Sequence, residues 1–184
     1  MGKSTASAAF RRARIPVFDA DAAVHALQAR GGRAVRAIGR AFPGTVRDGA
    51  VDRAALREAV LFDDAALKRL ERILHPMVRQ EERAFIARAR RAGRRVVVLD
   101  IPLLLETGGD ARVDEVVVVS APADVQRHRV RLRRKMTPAQ AASVIARQMK
   151  DSEKRRRADL VIQTGLSRNH ALRQLRRYIA RLRR

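Results

Sequence analysis

Two short segments limit the fold of this chain more than any other feature. Residues Arg95–Pro102 (RVVVLDIP) and Asp114–Ser120 (DEVVVVS) are nearly unbroken apolar runs dominated by valine. They lack the polar alternation of a half-exposed strand, so they fit strands of a parallel sheet covered on both faces. Shorter strand-like runs occupy Ile15–Phe18 and Ala158–Gln163. Between these segments the pattern is helical, and parallel strands need such crossovers. The order therefore predicts an α/β fold with a mostly parallel sheet.

The helical boundaries follow from local chemistry. A helix is predicted from Ala20 to about Arg30, with a second from Arg33 to Phe42 that Pro43-Gly44 stops. Asp52 and Asp63 are placed as N-caps of Arg53–Leu61 and of a helix starting at Asp64. That latter helix is expected to end near His75-Pro76, because a residue before proline is pushed out of the α region. Met77 to about Arg91 forms the next helix, stopped by Gly93. Further helices are predicted over Pro122–Lys135, from Thr137 to Met149, and from Ser167 to Arg184. Leu172, Leu175, Ile179 and Leu182 give the last one a buried stripe. The stretch 20–92 reads as helix only and is the best candidate for an inserted subdomain.

A length of 184 residues suits one domain, and 46% apolar content is enough to bury a core rather than leave a disordered chain. With no cysteine, disulfides, thiolate zinc sites and a thiol nucleophile are excluded. No apolar run approaches the roughly 20 residues of a spanning helix and no secretory leader is visible, so a soluble cytoplasmic protein is expected. The 41 Lys+Arg against 19 Asp+Glu give a formal charge of +22. Arginine supplies 36 of those basic residues, scattered from Arg11 to Arg184, and aromatics are only 3%. Bulk charge of this kind attracts polyanions, but it lacks the stacking platforms of RNA-binding surfaces.

The first residues are sharper. Gly2-Lys3-Ser4-Thr5 matches the end of the phosphate-binding loop G-x-x-x-x-G-K-[ST], and helix-forming sequence follows it. In that motif backbone N–H groups and a helix N-terminus cradle phosphates, Lys reaches the β/γ oxygens and Ser holds Mg²⁺.

Several further runs occur in a fixed order: Ile15-Pro16-Val17-Phe18-Asp19-Ala20-Asp21 with His25, Val51-Asp52-Arg53 with Leu56, and Leu74-His75-Pro76. Asp100-Ile101-Pro102-Leu103-Leu104-Leu105-Glu106, Gln126 with Arg129 and Arg133, Arg147-Gln148 and Ala158-Asp159 complete the series. Together with Gly2–Thr5, this series closely resembles the bacterial dephospho-CoA kinase family, collinearly over essentially the whole chain. The resemblance implies a P-loop kinase-like, three-layer α/β sandwich related to nucleoside-monophosphate kinases. It implies a core at about 1–19, 93–121 and 157–184, a helical CoA-binding part at about 20–92 and a helical lid at about 122–156. The implied reaction moves the γ-phosphoryl of ATP to the 3′-hydroxyl of dephospho-CoA, with Mg²⁺. ATP and dephospho-CoA are the implied partners, with no obligatory nucleic acid and no membrane. The oligomeric state is not set by the sequence, a monomer being the default.

The chain also departs from that family pattern. Relatives open with an apolar strand and a complete loop, of which about a dozen residues are absent here. The expectation is a chain short of its central first strand, through a misassigned start or an N-terminal truncation, with impaired ATP binding. A short protein that has lost ATP binding is the alternative.

For individual residues, the resemblance assigns Gly2, Lys3, Ser4 and Thr5 to ATP and Ser4 to the metal. Asp21, just past a strand end, is the expected catalytic carboxylate, orienting the sugar hydroxyl and accepting its proton. Asp19 is either a helix cap or an outer partner of Mg²⁺. His25 shares a helix face with Asp21 and joins Arg53 and Glu106 on the substrate side. Arg53 otherwise pairs with a neighbouring carboxylate, and Glu106 otherwise caps a turn. His75 is read as structural. Arg129 and Arg133, one helical turn apart, are expected to meet ATP phosphates, Arg129 with Lys3 and Asp21 being catalytic; Arg147 is a weaker candidate. Asp100 closes its strand where a carboxylate can reach Mg²⁺ through water. Two other classes remain: a related P-loop kinase acting on another nucleotide or metabolite, and a basic polyanion-binding protein.

Overall fold

The computed structural model describes residues 2–122, 125, 149–165 and 167–183. In chain order its elements are α1 (Lys3–Arg12), β1 (Val17–Asp19), α2 (Ala20–Gln28), α3 (Val35–Ala41), β2 (Val46–Arg47), β3 (Ala50–Val51), α4 (Arg53–Leu61) and α5 (Asp64–Arg91). After β4 (Val98–Asp100) come a 3₁₀ turn (Gly109–Arg112), β5 (Val117–Ser120), α6 (Asp151–Arg156), β6 (Leu160–Gln163) and α7 (Arg168–Leu182). They fall into two units, one of Met1–Val17 with Pro102–Arg184, the other of Phe18–Ile101. The helices expected between Pro122 and Met149 lie outside the described residues.

The Phe18–Ile101 unit is organised by α5, 28 residues long. Leu70 and Leu74 on α5 are buried against Leu27, Ile38, Phe42 and Leu56 from α2, α3 and α4 and the end of α3, with Met77 and Val78 half-buried beside them. Here the expectation of a break fails: Pro76 lies inside the helix, which continues through it. Proline in a helix interior costs about 3 kcal/mol. Leucine burial returns roughly 1.5–3 kcal/mol per side chain, and the apolar face runs on both sides of Pro76, so packing outweighs the local preference. Gly93, at φ 67°, then stops the helix, its N–H donating to Arg90 O.

The stretch 20–92 is not purely helical either. β2 and β3 form a small antiparallel hairpin, Val46 opposite Val51 and Arg47 opposite Ala50. Asp48 (φ 50°) and Gly49 (φ 74°) form its turn. Asp-Gly is the preferred pair where both central residues need positive φ. The flanking strands are too short for periodicity to reveal. Outside the hairpin, the predicted caps are in place: the carboxylate of Asp52 accepts from Ala54 N and Ala55 N, and that of Asp63 from Ala66 N at 2.9 Å.

In the other unit β5 and β6 pair in parallel, in register from Val117–Leu160 to Ser120–Gln163. Asp159 fixes the start of this pair, accepting from Val116 N at 2.7 Å while its own N–H donates to Val116 O. On α7 the buried positions are Ala171, Leu175, Tyr178 and Ile179, whereas Leu172 and Leu182 are only half-buried. The stripe is thus rotated from the predicted one toward Tyr178, whose ring meets Phe10 of α1 edge-on. Its hydroxyl donates to Glu115 at 2.8 Å, and burial together with that carboxylate pushes its pKa up to about 12. Glu106 accepts from Lys154 at 2.6 Å and from Met149 N at 3.1 Å, both side chains being largely buried. Burial alone would raise the Glu106 pKa; the Lys154 contact and the Met149 amide outweigh it and hold it below the ordinary value. No helix among the described residues is long and apolar enough to cross a membrane.

Two measurements check this account. Asp63→Ala removes a cap bond and should lower unfolding stability by about 1 kcal/mol in urea titrations, with Asp63→Asn nearly neutral. The depressed Glu106 pKa contributes stability above its ordinary value of 4.5, lost as pH falls through the folded value. Thermal melts of the wild type should therefore drop more steeply below about pH 4.5 than those of Glu106→Gln.

Candidate active site

Gly2–Thr5, expected to bind phosphate, sit at the start of α1. Gly2 is its N-cap at φ 97°, ψ −10°, a left-handed conformation that glycine adopts freely. A Cβ there would lie 2.7 Å from Thr164 Cγ2 and 3.1 Å from Val119 Cγ1, so no larger residue fits without displacing the ends of β5 and β6. Gly2 offers no side-chain cap, and no acidic residue occupies the first turn of α1. Lys3, Ser4 and Thr5 thus open a helix whose N-terminal amides and dipole favour an anion. Beneath them, Thr164 donates through N (2.8 Å) and Oγ1 (3.0 Å) to Ser120 O, and Ser120 Oγ donates to Asp151 at 2.7 Å. This linked set lies at the carboxyl ends of two parallel strands, where ligands of open α/β sheets bind.

Of the residues expected on the acceptor side, Asp21, His25 and Arg53 lie in the Phe18–Ile101 unit and Glu106 in the other. Asp19 is the N-cap of α2, its carboxylate accepting from Ala22 N at 3.0 Å, so the capping reading holds for it. Asp21, in the first turn, is exposed and makes no hydrogen bond or ion pair among the described residues. One turn later His25 Nδ1 lies 3.4 Å from Arg53 Nη1, joining α2 to the start of α4. Arg53 therefore faces His25 rather than a carboxylate of its own helix. Asp52 pairs instead with Arg47 at 3.4 Å, and the Ala55 amide, chief among its contacts, draws its carboxyl pKa down.

The remaining assignments divide. Glu106 is committed to Lys154 and the Met149 amide. Asp100 is buried at the end of β4, and His75 lies within α5. Gln126, Arg129, Arg133, Arg147 and Gln148 fall outside the described residues. The sequence reading passed over a cavity of about 380 Å³ between α2 and α5, lined by Phe18, Asp19, Ala23, Leu27, Arg33 and Arg88 among others. The signal for it was Gly31-Gly32. A Cβ on Gly32 would lie 2.2 Å from Leu27 O, so glycine lets the chain fold back against the end of α2. Arg33 then reaches α5, donating to Gln80 at 2.9 Å and to Glu81 at 2.5 Å.

Comparison with known proteins meets this geometry. The family model described as dephospho-CoA kinase matches residues 1–169. A dephospho-CoA kinase of Paramagnetospirillum magneticum is 62% identical over 155 residues, spanning 84% of this chain and 73% of that protein. One from Gluconobacter oxydans is 52% identical over 186 residues, spanning 99% and 92%. Among solved structures, TT1252 from Thermus thermophilus matches with a TM-score of 0.80 at 35% identity, over 98% of this chain and 92% of that one. A dephospho-CoA kinase from Campylobacter jejuni shares the fold, with a TM-score of 0.73 at 22% identity over 98% of this chain and 91% of that one. With the family model spanning most of its length and relatives more than half identical, the chain belongs to the dephospho-CoA kinase family.

Proposed function

We propose that this chain transfers the γ-phosphoryl group of ATP to the 3′-hydroxyl of dephospho-CoA, giving coenzyme A and ADP, and that it works in the cytoplasm. The observation that carries the ATP half is Gly2, left-handed and pressed against Thr164, opening α1 directly into Lys3 and Ser4. Family membership supports the acceptor half.

In this reading the amides at the start of α1 hold phosphate oxygens and Lys3 reaches the β/γ oxygens. Ser4 offers one hard hydroxyl oxygen, a donor set that suits Mg²⁺ completed by substrate phosphates and water. When bound, that ion neutralises charge on the phosphates. Asp21, exposed and uncommitted, orients the ribose 3′-hydroxyl and accepts its proton as the oxygen attacks phosphorus. His25, one turn further along α2, and Arg53, at the start of α4, offer hydrogen bonds to the acceptor's diphosphate, with the positive charge on Arg53. Arg129 and Arg133 take the role of ATP-phosphate contacts on the Q-x-x-R-x-x-x-R pattern, stabilising the transferring charge. Glu106, committed to Lys154, serves this site by holding its own segment to α6 rather than by touching substrate.

An assay of ADP release with dephospho-CoA, AMP and shikimate as acceptors tests the reading directly. Turnover should be greatest by far with dephospho-CoA; a preference for either other acceptor refutes it. Asp21→Asn should reduce kcat by about 10²–10⁴-fold while leaving ATP affinity unchanged by calorimetry.

A further inference from the structure

We infer that the outer face of α5 is a docking surface for the phosphate backbone of a nucleic-acid duplex, a role outside the phosphoryl transfer proposed above and independent of it. Lys68, Arg72, Arg79, Arg83 and Arg90 are all exposed on α5. At about 100° per residue they fall within an arc of about 60°, and from first to last they span about 33 Å. The arc lies opposite Leu70 and Leu74, which are buried in the core of the unit. Asp64, Glu71, Glu81 and Glu82, the acidic residues of α5, all sit about 70° or more from its midline. Glu81 is spent on Arg33, and Glu82 is buried.

The segregation of charge, not its amount, carries the inference. An exposed helix face is supported when opposite charges meet at i,i+4. Here that spacing joins Lys68 to Arg72 and Arg79 to Arg83, like charges that oppose the helix. None of the five makes an ion pair among the described residues. Arg72 reaches only its own helix, Nε donating to Lys68 O at 3.4 Å. An anion lying along the row relieves the repulsion.

The chemistry of the row selects the partner. Guanidinium groups predominate, and their planar forks match phosphate oxygens. The row holds no Phe, Tyr or Trp on which the bases of a single strand would stack. Its largest apolar side chain, Ile86, is half-buried, which leaves neither an anchor for a protein partner nor a wedge for a bilayer. The exposed Phe62 just before α5 is followed by Asp63 and Asp64, which an anionic bilayer repels. A duplex needs no apolar anchor. It presents about one phosphate charge per 1.7 Å of its length, and a row of about 33 Å runs along close to one of its helical turns. Such binding reads charge and not sequence. The cavity-lining residues of α5, Glu81 and Arg88, lie on the opposite side of the helix, so a bound duplex leaves that side open.

The test is fluorescence anisotropy of a labelled random-sequence DNA duplex of about 20 base pairs, titrated with the full chain between about 50 and 200 mM salt. With one phosphate neutralised by each of the five residues, the logarithm of the association constant should fall against that of salt with a slope of about −4.5. Arg79→Gln with Arg83→Gln should reduce that steepness by about 1.8 and weaken binding by about 10–100-fold at about 100 mM salt. Arg173→Gln with Arg177→Gln removes the same charge, at the same spacing, from exposed positions on α7 and should leave both quantities nearly unchanged. Circular dichroism confirms that both double variants are folded. Equal losses in the two variants would make the binding a property of the whole charge of +22 and overturn the inference. A wild type that binds no duplex at about 50 mM salt would overturn it as well. Cosedimentation with phosphatidylserine–phosphatidylcholine vesicles runs in parallel. Vesicle binding that Arg79→Gln with Arg83→Gln abolishes, while duplex binding persists unchanged, would assign the face to a membrane and overturn it too.

Discussion

The approach of Gly2 to Thr164 is the constraint on which the start of α1 depends. A left-handed residue must turn the chain into α1, and it must do so within van der Waals contact of the ends of β5 and β6. Both demands select glycine, and each follows from the other. Only a chain that turns at this point directs the start of α1 along the carboxyl ends of the parallel strands. Ser120 and Thr164 make that floor rigid, because one carbonyl receives two hydrogen bonds from Thr164 and the Ser120 hydroxyl is spent on Asp151. A polar residue at the end of an apolar strand thus serves to tie the strand end to α6.

The large positive charge takes on a different meaning beside these contacts. Arg157 pairs with Asp110, Arg181 with Glu115 and Arg33 with Glu81, each at a partly exposed position. Such pairs contribute little to stability, ~0–1 kcal/mol each, so their importance is positional. Arg33 shapes a cavity wall, and Arg181 sits 4.9 Å from the centre of the Tyr178 ring that anchors α7 to α1. The net charge of +22 counts all arginines alike. What distinguishes them is which carboxylate, ring or backbone carbonyl lies within reach.

The features legible in the sequence are those whose physics is local. Asp52 and Asp63 each cap a helix through a backbone N–H two or three residues away, as the sequence predicts, and Ser167, where the last helix is expected to start, proves to be its cap. The valine-rich runs announced strands for the same reason, although the regular ladders proved shorter than the runs and their side chains are only half-buried at Val98 and Leu99 and alternately buried along β5. Pro76 defeated the local rule because the packing that carries α5 past it comes from α2, α3 and α4. The Asp48-Gly49 hairpin was hidden by strands of two residues each. The cavity was beyond reach because Arg33 and Glu81 are separated by 48 residues, and nothing in either segment names the other.

The two faces of α2 join these lines of reasoning. The helix is capped by Asp19, and that local bond fixes where its first turn begins. Because the cap fixes the phase of the helix, Asp21 and His25 must emerge on one side, His25 beside Arg53, while Ala23 and Leu27 must turn toward α5. A shift of one residue in the start would rotate every position by about 100° and exchange the exposed carboxylate for an alanine. The separation of a carboxylate face from a cavity face is therefore set by a single hydrogen bond at the helix start. Gly32 completes the arrangement at the other end, where only a residue without Cβ can pass Leu27 O and carry Arg33 back across the cavity to α5.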